Sequence, residues 1–275
     1  MMGMPNNGRL HHTTDRGTSS MKIVVIYKWA PDPQYATVAD TGEINWGTKR
    51  AVSEYDPVAI HLGRLTADAA GAELIGITAG DSTAATPKAT QAAAARGLDR
   101  LTVLADDALK DACADTYARA LSAVIKNLGD DVALILAGEA SADVGGKAVP
   151  GLVAGFLEIP SLAGVEKISA GENGFTVVRT SAGRSQTLEL TGPAVLSLTT
   201  DAVSVPLIGM KDMMAARKKP VEKLTLADVS LPPAAGKAHV VSVERPEIKP
   251  RKQIIFDSEN AAAELVAALR EEGVL

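Results

Sequence analysis

A single cysteine, Cys113, stands among 275 residues. A lone thiol excludes an internal disulfide, a multi-cysteine zinc site and a cysteine-ligated iron–sulfur cluster. Histidine is scarce too, with four in the chain. Two of them, His11 and His12, lie in a polar run that reads as a solvated tail rather than a metal site. Positive charge is in deficit: 28 Lys and Arg face 33 Asp and Glu, a net charge of −5. Nothing therefore draws the chain to a polyanion, and no nucleic-acid groove is expected. Long apolar runs are missing as well. The densest are Ile23–Tyr27 and Val132–Ala137, far below the roughly 20 residues of a spanning helix, so no membrane insertion is expected. Residues 1–20 lack the apolar core of a secretory signal and read as a disordered N-terminal extension, or as a stretch upstream of a true start at Met21. These exclusions leave an expectation of a soluble, cytoplasmic, globular protein.

What is present is apolar and regular. Hydrophobic residues make up 46% of the chain, ordinary globular usage, which argues against wholesale disorder. Lys22–Tyr27 is a short β-branched run and reads as a buried strand. Asp56-Pro57 reads as a helix start with the Asp56 carboxylate as its cap, and Gly71 as the stop. The unit then repeats: strand Leu74–Thr78 and an alanine-rich helix to Arg96, strand Leu101–Leu104 and helix Ala114–Leu128, strand Val132–Ala137 and helix Lys147–Phe156. Alternation of this kind predicts an α/β, Rossmann-like parallel sheet with helices on both faces. Ligands in such sheets sit beyond the carboxyl ends of the strands, here the loops after Tyr27, Thr78, Leu104 and Ala137.

The second half changes character. Phe175–Arg179 and Gln186–Leu190 flank Ser181-Ala182-Gly183-Arg184, an added antiparallel hairpin with a glycine turn. Ala194–Leu198 is another buried strand. Met210–Arg217 forms a helix that runs into Lys218-Lys219 and stops at Pro220. Beyond Leu231, the residues Pro232, Pro233, Gly236, Pro246 and Pro250 mark a connector, and Ser258–Glu272 a terminal helix with Leu265, Val266 and Leu269 on one face. The expected organisation is a nucleotide-binding α/β domain over 21–231 and, over 232–275, an arm that buries its apolar stripe by docking.

No nucleophile–base pair is visible. His61 falls inside a helix and His239 in the connector. Cys113 sits beside a helix start, which can lower a thiol pKa, but a small apolar filler is the simpler reading. The informative segment is Gly138–Gly151, a glycine-rich loop between a buried strand and a helix. Glycines let backbone N–H groups approach an anion, and the helix N-terminus adds a partial positive charge. Lys147 offers a further point charge. The loop is not a Walker A motif, because Ser141 and Ala148 occupy positions that motif gives to glycine and to Ser/Thr. Asp56 lies near where a ribose or adenine would sit, but a capping role alone is the better reading of it.

In the order of these features the chain resembles the beta subunit of electron transfer flavoproteins, most closely the FixA type. The resemblance rests on Tyr27-Lys28-Trp29-Ala30-Pro31-Asp32 and on Ser53-Glu54-Tyr55-Asp56 leading into Ala59-Ile60. It continues through the glycine loop with Ile159-Pro160, Gln186-Thr187-Leu188 with Pro193-Ala194-Val195-Leu196-Ser197, and Thr200-Asp201 followed by Ala216-Arg217-Lys218-Lys219-Pro220.

It implies a subunit that is not itself an enzyme. Such a subunit binds AMP or a second FAD and pairs with an FAD-carrying alpha (FixB-type) subunit. The pair passes electrons to or from a dehydrogenase or a quinone-linked partner. Carried over by position, nucleotide contacts fall to Ile26, Ser53, Glu54, Tyr55, Asp56, Ala79, Asp143, Val144, Gly145, Gly146, Lys147, Ala148 and Val149. Partner recognition falls to Ala202, Val205, Pro206, Leu207 and Met210. Lys147-Ala148-Val149 stand where many members carry Asn-Gln-Thr or Ala-Gln-Val, which leaves backbone amides and Lys147 to hold a phosphate. With no redox metal site and no cysteine pair, any electron must ride on a bound organic cofactor. Read without the resemblance, the same sheet and loop also suit a stand-alone adenine-nucleotide-binding module of the stress-protein type.

Overall fold

The computed structural model describes residues 21–233, 241–242, 244–247, 250 and 253–275. The expectations for residues 1–20, Gly236 and His239 lie outside these. Among the described residues thirteen strands run in chain order. The first five are β1 (Lys22–Ile26), β2 (Trp29–Pro31), β3 (Thr37–Val38), β4 (Ile44–Asn45) and β5 (Arg50–Val52). Then come β6 (Glu73–Gly80), β7 (Arg100–Ala105), β8 (Val132–Gly138) and β9 (Ser161–Gly171). The last four are β10 (Gly174–Ser181), β11 (Arg184–Leu190), β12 (Ala194–Leu198) and β13 (Val221–Leu224). Helices are α1 (Asp56–Ala70), α2 (Pro87–Ala94), α3 (Ala114–Asn127), α4 (Val149–Leu157), α5 (Met210–Ala216) and α6 (Ala261–Glu271).

Nine strands form one sheet in the order β11-β10-β9-β12-β8-β1-β6-β7-β13, and β2 pairs β5 and β3 pairs β4 outside it. From β9 to β13 along that order the neighbours are parallel, while β9, β10 and β11 form an antiparallel meander. This is the expected α/β, Rossmann-like architecture. Alternation along the strands splits the core in two. Ile23, Val25, Leu74, Leu134 and Leu136 face one side, together with residues of α1 and α2. Val24, Ile26, Ile75, Ile77 and Ile135 face the other, with residues of α3 and α4. Each such side chain, fully withdrawn from water, contributes about 1.5–3 kcal/mol. That is why the strands read as unbroken apolar runs.

The hairpin is tight. Ser181 pairs with Arg184, leaving a two-residue loop, and Ala182 and Gly183 both have positive φ, 51° and 72°. That combination is a type I′ turn, whose twist matches the strands it joins. Two strands of the nine-stranded sheet were not foreseen, nor were the short pairs β2–β5 and β3–β4 outside it. β9 alternates exposed and half-buried residues along most of its length, and its glycines and charges hide the strand period. β13 carries Glu222 and Lys223 on an edge, the charged protection typical of an unpaired border. α4 starts at Val149 rather than Lys147, which instead takes a left-handed φ of 50° in the loop.

Chain contacts divide the protein into two units. One takes the chain up to Thr37 and Asn45–Val240; the other takes Val38–Ile44 and Val241–Leu275. In the second, Arg245 reaches Asp40 at 3.3 Å, and Gly42 lies so close that a Cβ there would come within 2.6 Å of the Arg245 nitrogen. Its helix α6 buries none of its residues: Leu265 and Val266 stay 46% and 39% exposed. Among the described residues no helix is long and apolar enough to cross a membrane.

Candidate functional site

The chain leaves β1 for β6 and β7 on one side, then returns to place β8 on the other side of β1. Such a reversal opens a crevice beyond the carboxyl ends of the two strands. A cavity of about 190 Å³ lies there. Its walls are Ile26–Lys28, Asp56, Ala79, Ala112–Ala114 leading into α3 with Tyr117 and Leu121, and Ala137–Ser141, Val144 and Gly146–Pro150. α4 begins at the cavity, and its N-cap residue Ala148 offers no side-chain cap. Free first-turn amides and the helix dipole make that end receptive to an anion.

Several of the expected nucleotide residues line this cavity: Ile26, Asp56, Ala79, Val144, Gly146, Lys147, Ala148 and Val149. Others stand behind it. Ser53 is buried, and its Oγ accepts the Ala142 N–H at 3.1 Å, fixing the glycine loop to the loop before α1. Tyr55 backs Gly138, where a Cβ would fall 2.8 Å from the Tyr55 backbone and from Asp56 Oδ1. Only glycine lets the end of β8 come this close. The Gly145 N–H turns back to the Ser141 carbonyl at 2.8 Å. Glu54 is exposed and does not line the cavity.

Asp56 does not cap its helix. It is the first residue of α1, and the cap position belongs to Tyr55, which makes no capping bond. The Asp56 carboxyl is 5% exposed, and Oδ2 accepts the Lys28 N–H at 2.7 Å. Burial pushes its pKa up to about 8, against the lowering effects of the Lys28 amide bond and of the Lys28 and Arg96 charges. The Asp-Pro signal marked the helix start correctly, but the carboxylate serves the end of β1 instead.

Sequence reasoning missed Lys28 and the α3 wall. Lys28 Nζ lies 2.6 and 2.8 Å from the two Asp143 oxygens and 5.5 Å from the centre of the Tyr117 ring. This pair ties the loop after β1 to the glycine loop and holds the Asp143 carboxyl below its usual range despite burial. Asp143 is therefore an anchor for the loop, its charge spent on Lys28. Lys147 bonds Glu139 Oε2 at 2.8 Å and is 62% exposed. Tyr117 donates to the Leu109 carbonyl at 2.9 Å, and burial together with nearby carboxylates pushes its pKa up to about 12. Cys113 occupies the N-cap of α3 and touches the cavity. Its Sγ lies 3.5 Å from Thr116 Oγ1, a contact that holds the thiol below its ordinary pKa. The apolar-filler reading of Cys113 therefore gives way to a place on the cavity wall.

A family model described as the electron transfer flavoprotein domain matches residues 44–229. The chain belongs to the electron transfer flavoprotein family. The matched span takes in the glycine loop, the whole antiparallel meander and α5. In this electron transfer flavoprotein domain, the segment before α5 is anchored through Ala202, Val203 and Ile208, which pack on the core. Leu207 and Met210 point outward, 98% and 84% exposed, and Pro206 is exposed beside them while Val205 is half-buried. Met213 and Met214 extend this apolar surface along α5. Among the described residues no group of three or more His, Cys, Asp or Glu is placed to hold a metal ion.

Proposed function

We propose that this chain is the beta-type subunit, of the FixA kind, of a heterodimeric electron transfer flavoprotein. It binds an adenine nucleotide, AMP or a second FAD, in the cavity beyond β1 and β8. It pairs with an FAD-carrying alpha (FixB-type) subunit in the cytoplasm and acts as an electron carrier rather than as an enzyme. The observation that carries this reading is the cavity at the sheet's reversal, with the uncapped start of α4 at its edge and a family match over its walls from Asp56 to Pro150. The residues fit a nucleotide: apolar walls from Ile26, Ala79, Leu121 and Ala137 for a base, and the amides around Ala148 and Val149 for a phosphate. A bound flavin supplies reversible electron chemistry that no side chain here supplies.

Two surfaces fit the partners. The exposed stripe of α6 suits docking on the alpha subunit, since an amphipathic helix gains stability only by burying its apolar face. Ala202, Val205, Pro206, Leu207 and Met210 suit recognition of a dehydrogenase or quinone-linked protein, with methionines adapting to its contour.

Co-expression with the alpha partner followed by gentle purification should give a yellow complex with a flavin spectrum; a colourless complex contradicts the pairing. For the nucleotide, Cys113 provides a direct reporter, because it is the chain's one cysteine and lines the cavity. Saturating AMP should slow its alkylation by a maleimide at least several-fold. An unchanged rate places the nucleotide elsewhere.

A further inference from the structure

Asp56 lines the proposed nucleotide cavity, and its buried carboxyl lies in surroundings that do not suit a charge. One oxygen, Oδ2, is taken by the Lys28 N–H at 2.7 Å. The other, Oδ1, faces the close approach of Gly138 at the end of β8. The groups around it come from every neighbouring element. Lys28, after β1, brings an ammonium, but that charge is spent on both oxygens of Asp143. Asp143, in the glycine loop, adds a like charge that opposes ionisation of Asp56. Arg96, after α2, acts on Asp56 only from a distance, and among the described residues Asp56 makes no ion pair within 4.0 Å. The buried phenol of Tyr27 completes the set. A buried carboxylate without an ion-pair partner is costly, whereas the neutral acid needs only one acceptor for its proton.

With Oδ2 already accepting from an amide, the proton of the neutral acid belongs on Oδ1, and Asp56 lines the cavity. A carboxylic acid kept neutral in this way is a hydrogen-bond donor, a role that burial makes available near neutral pH. The geometry points to Asp56 as a neutral acid that donates its Oδ1 proton to an acceptor atom of the bound nucleotide, so that nucleotide binding is coupled to a proton. This rests on the nucleotide reading of the cavity. Raising the pH ionises Asp56 in the free protein, which removes the donor and adds a negative charge beside an anionic ligand. Binding at high pH then requires uptake of one proton.

The test is calorimetric titration of the full chain with AMP from pH 7 to 9.5, a range above the second ionisation of the phosphate at about 6, in buffers of different ionisation enthalpy. Wild-type affinity should fall about tenfold between pH 7 and pH 9, the drop for one required proton with a pKa near 8, and proton uptake should appear above pH 8. Asp56→Asn keeps an acceptor for the Lys28 amide and a donor for the ligand, and should bind with an affinity flat over the same range. Measurable binding that is equally pH-independent in the wild type, or equally steep in Asp56→Asn, overturns the proton coupling alone. Absence of AMP binding by the wild type at every pH overturns the nucleotide site and the coupling with it.

Discussion

Asp56→Asn is expected to stabilise the protein at pH 8 and to flatten the dependence of its stability on pH. The sign follows from the two states of the chain. In the unfolded protein this carboxyl ionises near its ordinary 3.8; in the folded protein burial holds its proton until about pH 8. Between those values the folded state binds a proton that the unfolded state has released. The contribution is therefore full below about pH 4 and is lost progressively as pH rises towards 8. Each unit of difference corresponds to about 1.4 kcal/mol, so a loss on the order of a few kcal/mol accumulates by pH 8. Asparagine resembles the neutral acid in shape and accepts the Lys28 N–H, yet carries no charge to release on unfolding. Urea denaturation of both proteins at pH 5 and pH 8.5 should show them closer at the lower value, with the variant ahead by a clear margin at the higher. Parallel pH curves, or a variant weaker at pH 8.5, would mean that Asp56 is already ionised in the folded protein.

This behaviour was hidden in the sequence. Asp56-Pro57 is a sound signal for a helix start, because proline tolerates the first turn and acidic residues gather there. The same signal cannot say whether the carboxyl turns towards its own helix or towards the strand end packed behind it. Here the deciding residue is Gly138, 82 positions away in the chain by the numbering, whose missing side chain lets β8 press against Asp56 and Tyr55. No local pattern reports such an approach.

Legibility of the fold followed the same division between local and distant. β1, β6, β7, β8 and β12 were readable because burial on both faces makes each an unbroken apolar run. The type I′ turn at Ala182-Gly183 and the glycine stop at Gly71, with φ of 64°, were readable because few residues take those conformations. β9 and β13 were not, since each is partly open to solvent and held by its neighbours more than by its own apolar content. In the site, the glycine loop announced itself by composition. The wall formed by Cys113 and Tyr117 did not, because only the sheet order brings the start of α3 beside the end of β8.

The Lys28–Asp143 pair should prove to be a coupled unit whose halves are worse apart than absent together. The two side chains are 28% and 12% exposed, so water screens the pair only in part and a surface value of zero to 1 kcal/mol understates it. Removing Asp143 leaves an ammonium with no counter-charge beside the Asp56 site; removing Lys28 leaves a half-buried carboxylate in the glycine loop. Either loss should cost about 1–3 kcal/mol, less than the 3–5 kcal/mol of a fully buried pair broken on one side. The double variant Lys28→Met with Asp143→Asn removes both charges and should recover much of that loss, giving a coupling energy of at least about 0.5 kcal/mol in a four-protein denaturation cycle. The break should also be local. Asp143 follows Ala142, whose N–H is held by Ser53 Oγ, so freeing the carboxylate should speed hydrogen exchange at Ala142 while leaving the amides of β1 and β6 protected. Additive single effects within about 0.3 kcal/mol, with exchange at Ala142 unchanged, would show that the glycine loop is held by Ser53 and its own turn alone, and that Lys28 is a surface charge resting on Tyr117.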